Sequence, residues 1–199
     1  MTGDRQSALH TERLVLRALA PTDIADFMAI AGDFAVARMT SDIPHPLDDA
    51  KARAWLAPSN GEARFAVVRD GRMIGSAGYF RRTTDTAELG FWLGRAWWGQ
   101  GYTTEAGRAV IRHGFDVGRL GLFTSSHFHD NPASARVLAK LGFLPSGSGR
   151  IWSVARGHDV GAEMLELTRA RAEALMDLAP AEPKQSRWSA LIERVRGTG

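Results

Sequence analysis

The sequence predicts a single domain of mixed strands and helices, an α+β fold, followed by an extra C-terminal helix. Three observations carry this. Short apolar runs with strand-like alternation are interleaved along the chain with segments of helical spacing. Two of these runs flank Asp70-Gly71, a dipeptide that supplies the positive φ angles of a tight hairpin. A glycine-rich turn, Gly94 to Gly101, joins a strand pattern to a helix pattern. The 199 residues are 44% hydrophobic and 24% charged, an ordinary globular composition. A chain of this length makes one real core and buries roughly 70% of its unfolded surface.

The elements follow in order. Leu14-Val15-Leu16, inside Glu12 to Leu19, reads as a first strand. Pro21-Thr22-Asp23 opens a helix through Ile24, Phe27 and Ile30, because proline suits the first helical position. Met39 to Pro46 is a loop with two prolines, and Pro46 starts another helix through Ala54 and Leu56. Phe65 to Arg69 and Met73 to Tyr79 are the hairpin strands. Thr86 to Leu93 is a further strand, with Ala87, Leu89, Phe91 and Leu93 on one face and Glu88, Gly90 and Trp92 on the other.

A helix is expected from about Tyr102 to Val117, with Ala106, Ala109, Val110, His113 and Val117 inward. Glu105, Arg108, Arg112 and Asp116 lie outward at spacings that suit opposite charges. Leu120 to Thr124 is the next strand. Asn131-Pro132 opens a helix that ends at Gly142, with Asn as N-cap, Pro at the first position and Gly past the end. Ile151 to Ala155 and Glu163 to Leu167 are late strands, the last leading into a helix through Ala170, Ala174 and Leu175. The domain boundary is set at 1–179. A short hinge at Pro180 to Pro183 then precedes an amphipathic helix carrying Trp188, Leu191, Ile192 and Val195, expected to dock on the domain or on a second subunit.

Charge and composition exclude several function classes. Lys+Arg 25 against Asp+Glu 22 leaves a net charge of +3, with no block of like charges, so no nucleic-acid partner is expected. No apolar run approaches the roughly 20 residues of a membrane span, and Met1 to His10 is polar and unlike a signal peptide. The absence of cysteine excludes disulfides, Cys–metal sites and thiol nucleophiles. A cytoplasmic location is expected.

The chemistry is most legible at Gly94-Arg95-Ala96-Trp97-Trp98-Gly99-Gln100-Gly101-Tyr102. A glycine turn between a strand and a helix N-terminus presents backbone N–H groups and the helix dipole, an anion site suited to phosphate. Three phosphate patterns compete with a plain glycine turn. A P-loop has the right spacing, but Gln100 replaces the lysine. A dinucleotide fingerprint has Thr104 at its third glycine and lacks the later acidic residue. The third pattern is an acetyl-CoA loop ending in GxG.

A second stretch, Asn131-Pro132-Ala133-Ser134 to Lys140-Leu141-Gly142-Phe143, lies one strand further on. Together with Glu88-Leu89-Gly90-Phe91-Trp92-Leu93 and Trp98-Gly99-Gln100-Gly101-Tyr102-Thr103-Thr104-Glu105-Ala106, it resembles the GNAT acetyltransferase superfamily. Within it the sequence is most similar to the ribosomal-protein (RimJ/RimL-like) N-acetyltransferase branch, whose first strand Thr11 to Arg17 also resembles. The likeness runs from about residue 11 to about residue 177.

The resemblance implies a mixed, mostly antiparallel sheet whose two central strands splay apart, flanked by helices. It implies acetyl transfer from acetyl-CoA to a primary amine by direct attack through a tetrahedral intermediate, without a metal. The coenzyme A pyrophosphate would lie on Trp98, Gly99, Gln100, Gly101, Tyr102, Thr103 and Thr104. Its pantetheine would pair with the backbone of Phe91, Trp92 and Leu93 and meet Asn131. Glu88 is the candidate base, with an Arg-paired structural carboxylate as the other reading. Ser134 is the candidate proton donor or thiol contact, with a helix-surface serine as the other.

The sequence departs from the superfamily at Leu138, where many members carry a tyrosine acid, and at Ala96, where many carry Arg or Gln. His127-x-His129-Asp130 has metal-like spacing but too few ligands for a closed site. The pair is expected to line the cleft beside the thioester instead. His127, His129 and Glu163 stand next in line as base. Gly75-Ser76-Ala77-Gly78 lacks the first glycine of a nucleophile elbow. Trp97-Trp98 reads as packing or interface.

The acceptor is a small-molecule amine or a peptide or protein N-terminus. A polycationic acceptor would favour an acidic cleft, for which Asp42, Asp48 and Asp49 are candidates. The branch often pairs subunits, so a homodimer is expected. A non-catalytic acyl-CoA-binding module would keep the glycine loop and need neither Glu88 nor Ser134, whereas an ATP-binding protein would need the missing lysine.

Overall fold

The computed structural model describes residues 7–176. The expected hinge and C-terminal helix lie outside them. Eight strands form one sheet in the order β1-β2-β3-β4-β5-β6-β8-β7. They are β1 (Leu9–His10), β2 (Val15–Ala18), β3 (Glu62–Arg69), β4 (Arg72–Arg81), β5 (Thr86–Leu93), β6 (Leu122–Phe128), β7 (Leu144–Ser153) and β8 (His158–Thr168). The helices are α1 (Ile24–Ala31), α2 (Phe34–Ala37), α3 (Asp49–Leu56), α4 (Tyr102–Asp116), α5 (Pro132–Lys140) and α6 (Arg169–Met176). No helix among the described residues is long and apolar enough to cross a membrane.

Strand alternation sends two apolar sets to opposite faces of the sheet. Phe65 and Val67 of β3, with Ala87, Leu89 and Leu93 of β5, pack against Ala106, Val110, Ile111 and Phe115 of α4 and Leu138 of α5. Ala66 and Val68 of β3, Met73 of β4 and Trp92 of β5 pack against Phe27 and Ala31 of α1, Val36 of α2 and Ala52 of α3. Asp70 and Gly71 turn the β3–β4 hairpin at φ 49° and 79°.

Every neighbouring pair of strands is antiparallel except β5–β6. That parallel pair holds register for three residues only, from Thr86↔Leu122 to Glu88↔Thr124. Beyond it Ser125 Oγ donates to Leu89 O at 2.9 Å, a side chain standing where a ladder bond would be. The strands then part, and the β6-facing edge of Gly90 to Leu93 has no strand partner among the described residues. This is the splay implied by the resemblance.

Several elements differ from expectation. Pro21–Asp23 forms a short 3-10 turn, and α1 proper starts at Ile24. The α3 helix starts at Asp49, capped by Asp48, whose side chain accepts from Lys51 N. The strands β6, β7 and β8 are longer than the apolar runs that marked them. The buried stripe of α4 is Tyr102, Ala106, Val110, Ile111 and Phe115, and Val117 past its end is 70% exposed. The outer charges of α4 pair between elements rather than along the helix: Glu105 with Arg13, and Asp116 with Arg169.

Candidate active site

The glycine turn sits where the open edge of β5 runs into α4. Gly99 and Gly101 have φ 74° and 83°, left-handed values that glycine adopts without steric cost. Gly101 is the N-cap of α4 and has no side chain with which to cap that helix. The first-turn N–H groups of an α-helix have no intrahelical acceptor, so those of Tyr102, Thr103 and Thr104 are suited to an anion. A Cβ on Gly99 would meet nothing within 4 Å, so a ligand can approach its backbone closely. This geometry fits a pyrophosphate.

The turn is anchored from below. Trp98 Nε1 donates to Leu93 O at 2.7 Å, which ties the turn to the end of β5. Gln100 Nε2 donates to Ala96 O at 2.8 Å. Arg13 Nη1 donates to Gln100 O at 3.1 Å, and its Nε donates to Glu105 Oε2 at 2.7 Å. Arg13 also lies over the Tyr102 ring, 4.4 Å from the centroid. Burial works against the Glu105 charge, but hydrogen bonds from Thr11 Oγ1, the Arg13 backbone and the Arg13 guanidinium outweigh it and hold the carboxyl below its usual range. Trp97 packs edge-on to Tyr102 and Trp98 on its own turn, so both serve this tether.

A cavity of about 450 Å³ opens on the α1–α3 face of the sheet and reaches the gap between β5 and β6. Its volume falls within the roughly 300–1,000 Å³ of small-molecule sites. Glu88, Gly90 and Trp92 line it, as the strand alternation requires, together with Phe91. Glu88 is the last residue of the paired β5 segment, at the mouth of the splay. Arg82 Nε donates to its Oε2 at 2.9 Å, and Arg82 Nη2 donates to the same oxygen. The Arg-paired reading of Glu88 is therefore present in the geometry, and the carboxylate keeps a wall of the cavity.

Asn131 and Ser134 stand on the other side of the splay, at the start of α5. Asn131 Oδ1 accepts from Ser134 N at 3.0 Å, which makes it the helix cap. Its side-chain NH₂ remains for a ligand. Ser134 is half-buried and does not line the cavity. Leu138 is fully buried in the core on the α4 face, so its position holds packing rather than an acid.

The histidines separate. His127 lines the cavity, but His129 turns away to Glu163, with Nε2 3.2 Å from Oε1. No cluster of metal-ligating side chains occurs among the described residues.

Trp55, Glu62 and Arg64 line the cavity and escaped the sequence reading as site residues. Glu62 and Arg64 lie two apart on β3, one face of a strand inside the sheet, with Phe65 and Val67 turned to the other face. Trp55 of α3 covers them, with the Arg64 guanidinium 4.1 Å from its ring centroid. Trp55 Nε1 donates to Asp42 Oδ2 at 2.8 Å. Burial raises the Glu62 carboxyl, and Arg64 only partly offsets this. Burial likewise lowers the Arg64 guanidinium. Asp48 caps α3 and Asp49 pairs with Arg53 within it, so of the three suggested acids only Asp42 reaches the cavity.

Comparison with known proteins agrees with this geometry. Residues 13–144 match the acetyltransferase (GNAT) domain model. The uncharacterized N-acetyltransferase p20 of Bacillus licheniformis is 28% identical over 171 residues, which is 81% of this chain and 96% of that protein. The [ribosomal protein uS5]-alanine N-acetyltransferase of Escherichia coli is 25% identical over 70% of this chain and 79% of its own length. A solved structure of RimL, a ribosomal L7/L12 alpha-N-protein acetyltransferase in complex with coenzyme A, shares the fold. Its TM-score is 0.73 at 16% identity, over 81% of this chain and 98% of that one. With its splayed sheet and a family match that spans most of the sheet, the chain belongs to the GNAT acetyltransferase family.

Proposed function

We propose that this acetyl-CoA-dependent N-acetyltransferase works by direct attack of a primary amine on the thioester, across the gap between β5 and β6. The observation that carries the reading is the parting of those strands after Glu88, with the glycine turn beyond one end and the cavity opening into it. The donor's pyrophosphate lies on the amides from Gly99 to Thr104. Its pantetheine runs along the free edge of Phe91 to Leu93 as an added strand would.

Glu88 takes a proton from the incoming ammonium, directly or through a water, because only the free amine attacks. Arg82 holds its carboxylate in place. The C–N bond then forms as the thioester carbonyl becomes an oxyanion, which a backbone N–H of the open β5 edge stabilises. The C–S bond breaks as the nitrogen gives up its second proton to solvent, and Ser134 donates a proton to the leaving thiolate and regains one from solvent. No protein nucleophile is needed, in keeping with the absence of cysteine.

The acceptor is a small amine or a peptide N-terminus. We place the protein in the cytoplasm, as a homodimer. The test is thiol release from acetyl-CoA with a panel of amines. The reading expects release that depends on both substrates, whereas binding of acetyl-CoA without turnover of any amine would leave a non-catalytic acyl-CoA-binding module.

A further inference from the structure

The composition of the cavity narrows the acceptor further, given the reading above. Its floor lies where Gly78 of β4 and Gly90 of β5 face each other in register, with Arg64 of β3 next in the same row. No side chain rises from those two positions. A Cβ on Gly78 would meet Ala63 O at 2.5 Å and Arg64 Cα at 2.7 Å, whereas one on Gly90 would meet nothing within 4 Å. The floor is therefore a flat strip of backbone between two walls. Glu62, Phe80 and Glu88 form one row beside it, and Ser76 and Trp92 the other.

The walls are aromatic. Trp55 and Trp92 meet edge-on at 5.8 Å, and Phe27 stacks on Trp55 at 4.6 Å. These contacts fix both indoles. A planar body lying on the strip beside this aromatic cluster gains from such rings.

The charges count against a polycation. Asp42, Glu62 and Glu88 line the cavity against Arg64 and Arg82, so one net negative charge remains. Each carboxylate already has a partner: Arg82 for Glu88, Arg64 for Glu62 and the Trp55 indole for Asp42. One ammonium group balances the cavity, and a second would have no carboxylate of its own.

The same net charge counts against a carboxylate on the acceptor, which would add to the negative side.

We infer that the acetyl acceptor is a monoamine with a flat apolar or aromatic body and no charge besides its amine, seated over Gly78 and Gly90 beside Trp55 and Trp92. Gly90 and Trp55 are then specificity-determining residues that do not touch the donor.

The experiment measures kcat/KM for L-phenylalaninamide, L-phenylalanine, glycinamide and spermidine at saturating acetyl-CoA. Phenylalaninamide should exceed each of the others by about tenfold or more. Gly90→Leu fills the strip, and its Cβ meets nothing within 4 Å. It should raise KM for phenylalaninamide at least tenfold while acetyl-CoA still stabilises the variant against melting, which also shows that it folds. Trp55→Ala should reduce the preference for phenylalaninamide over glycinamide to about threefold or less.

Spermidine or glycinamide as the best acceptor would overturn the inference and leave the acetyltransferase reading intact. So would an unchanged KM in Gly90→Leu. Bound acetyl-CoA with no turnover of any amine would instead sink the reading on which the inference rests.

Discussion

Replacing Gly99 separates the backbone geometry of the glycine turn from its role toward the donor. Its φ of 74° lies in the left-handed region, and a Cβ there meets nothing within 4 Å. Valine at this position therefore brings strain, while its Cβ clashes with nothing. A non-glycine residue in that region costs about 1–2 kcal/mol. In a chain of this size each kcal/mol lowers Tm by about 2–4 °C, so Gly99→Val should melt about 2–8 °C below the native protein. Asparagine tolerates the same φ, so Gly99→Asn should lose less.

Binding should respond differently. At 100 times its Kd, acetyl-CoA should stabilise the native protein by about 2.7 kcal/mol. Either side chain occupies the space through which the pyrophosphate reaches the amides, so both variants should lose most of that gain. The assay is a melting scan with and without acetyl-CoA. A Gly99→Asn protein with native Tm and a native ligand shift would refute the placement of the pyrophosphate on this turn.

Other outcomes follow from the same geometry. Leu138→Ala should cost about 2–5 kcal/mol in urea unfolding, because the side chain is fully buried in the core. Leu138→Tyr should cost about 1–3 kcal/mol through overpacking and add no catalytic acid. Glu105 stays ionised in the fold below its unfolded value of about 4.3, so its contribution is present above that pH and fades as pH falls through the lower folded value. Acetyl-CoA affinity should weaken over that acid range in the native protein, and Glu105→Gln should flatten this dependence in calorimetric titrations. Light scattering of the full chain and of a chain ending at Ala179 tests the dimer. A monomeric full chain contradicts it, and a dimer that persists without the last 20 residues assigns the contact to the domain itself.

The elements that were legible in the sequence are those whose signals are local. Asp70-Gly71 fixes a hairpin through two φ angles, and Asn131, Pro132 and Gly142 mark both ends of α5. The alternation from Thr86 to Leu93 gave β5 its bounds and put Glu88, Gly90 and Trp92 on one face. The four-residue α2 was missed because it is too short for a periodic pattern. The cavity was hidden for another reason. Asp42, Trp55, Glu62 and Arg64 come from a loop, a helix and a strand, and only the β3–β4–β5 register brings them beside Glu88. One signal was available: Glu62 and Arg64 alternate with apolar residues on a strand whose other face is core, and charges in that pattern mark a polar cavity or an edge. The α4 stripe was misplaced because Val117 lies past the helix end, where it no longer faces the sheet.

The central claim is that Glu88 removes the amine proton at the mouth of the splay. The direct test is a pH–rate profile of Glu88→Gln beside the native enzyme, with one good amine and saturating acetyl-CoA. A general base is worth about 10²–10⁴-fold, and a higher pH supplies free amine without it. Turnover of Glu88→Gln should fall by that factor near neutral pH and recover in part as pH rises, with acetyl-CoA affinity unchanged. Ser134→Ala should show a smaller loss without that recovery. A Glu88→Gln profile that overlays the native one would contradict the account and move the base to another carboxylate or histidine of the cavity.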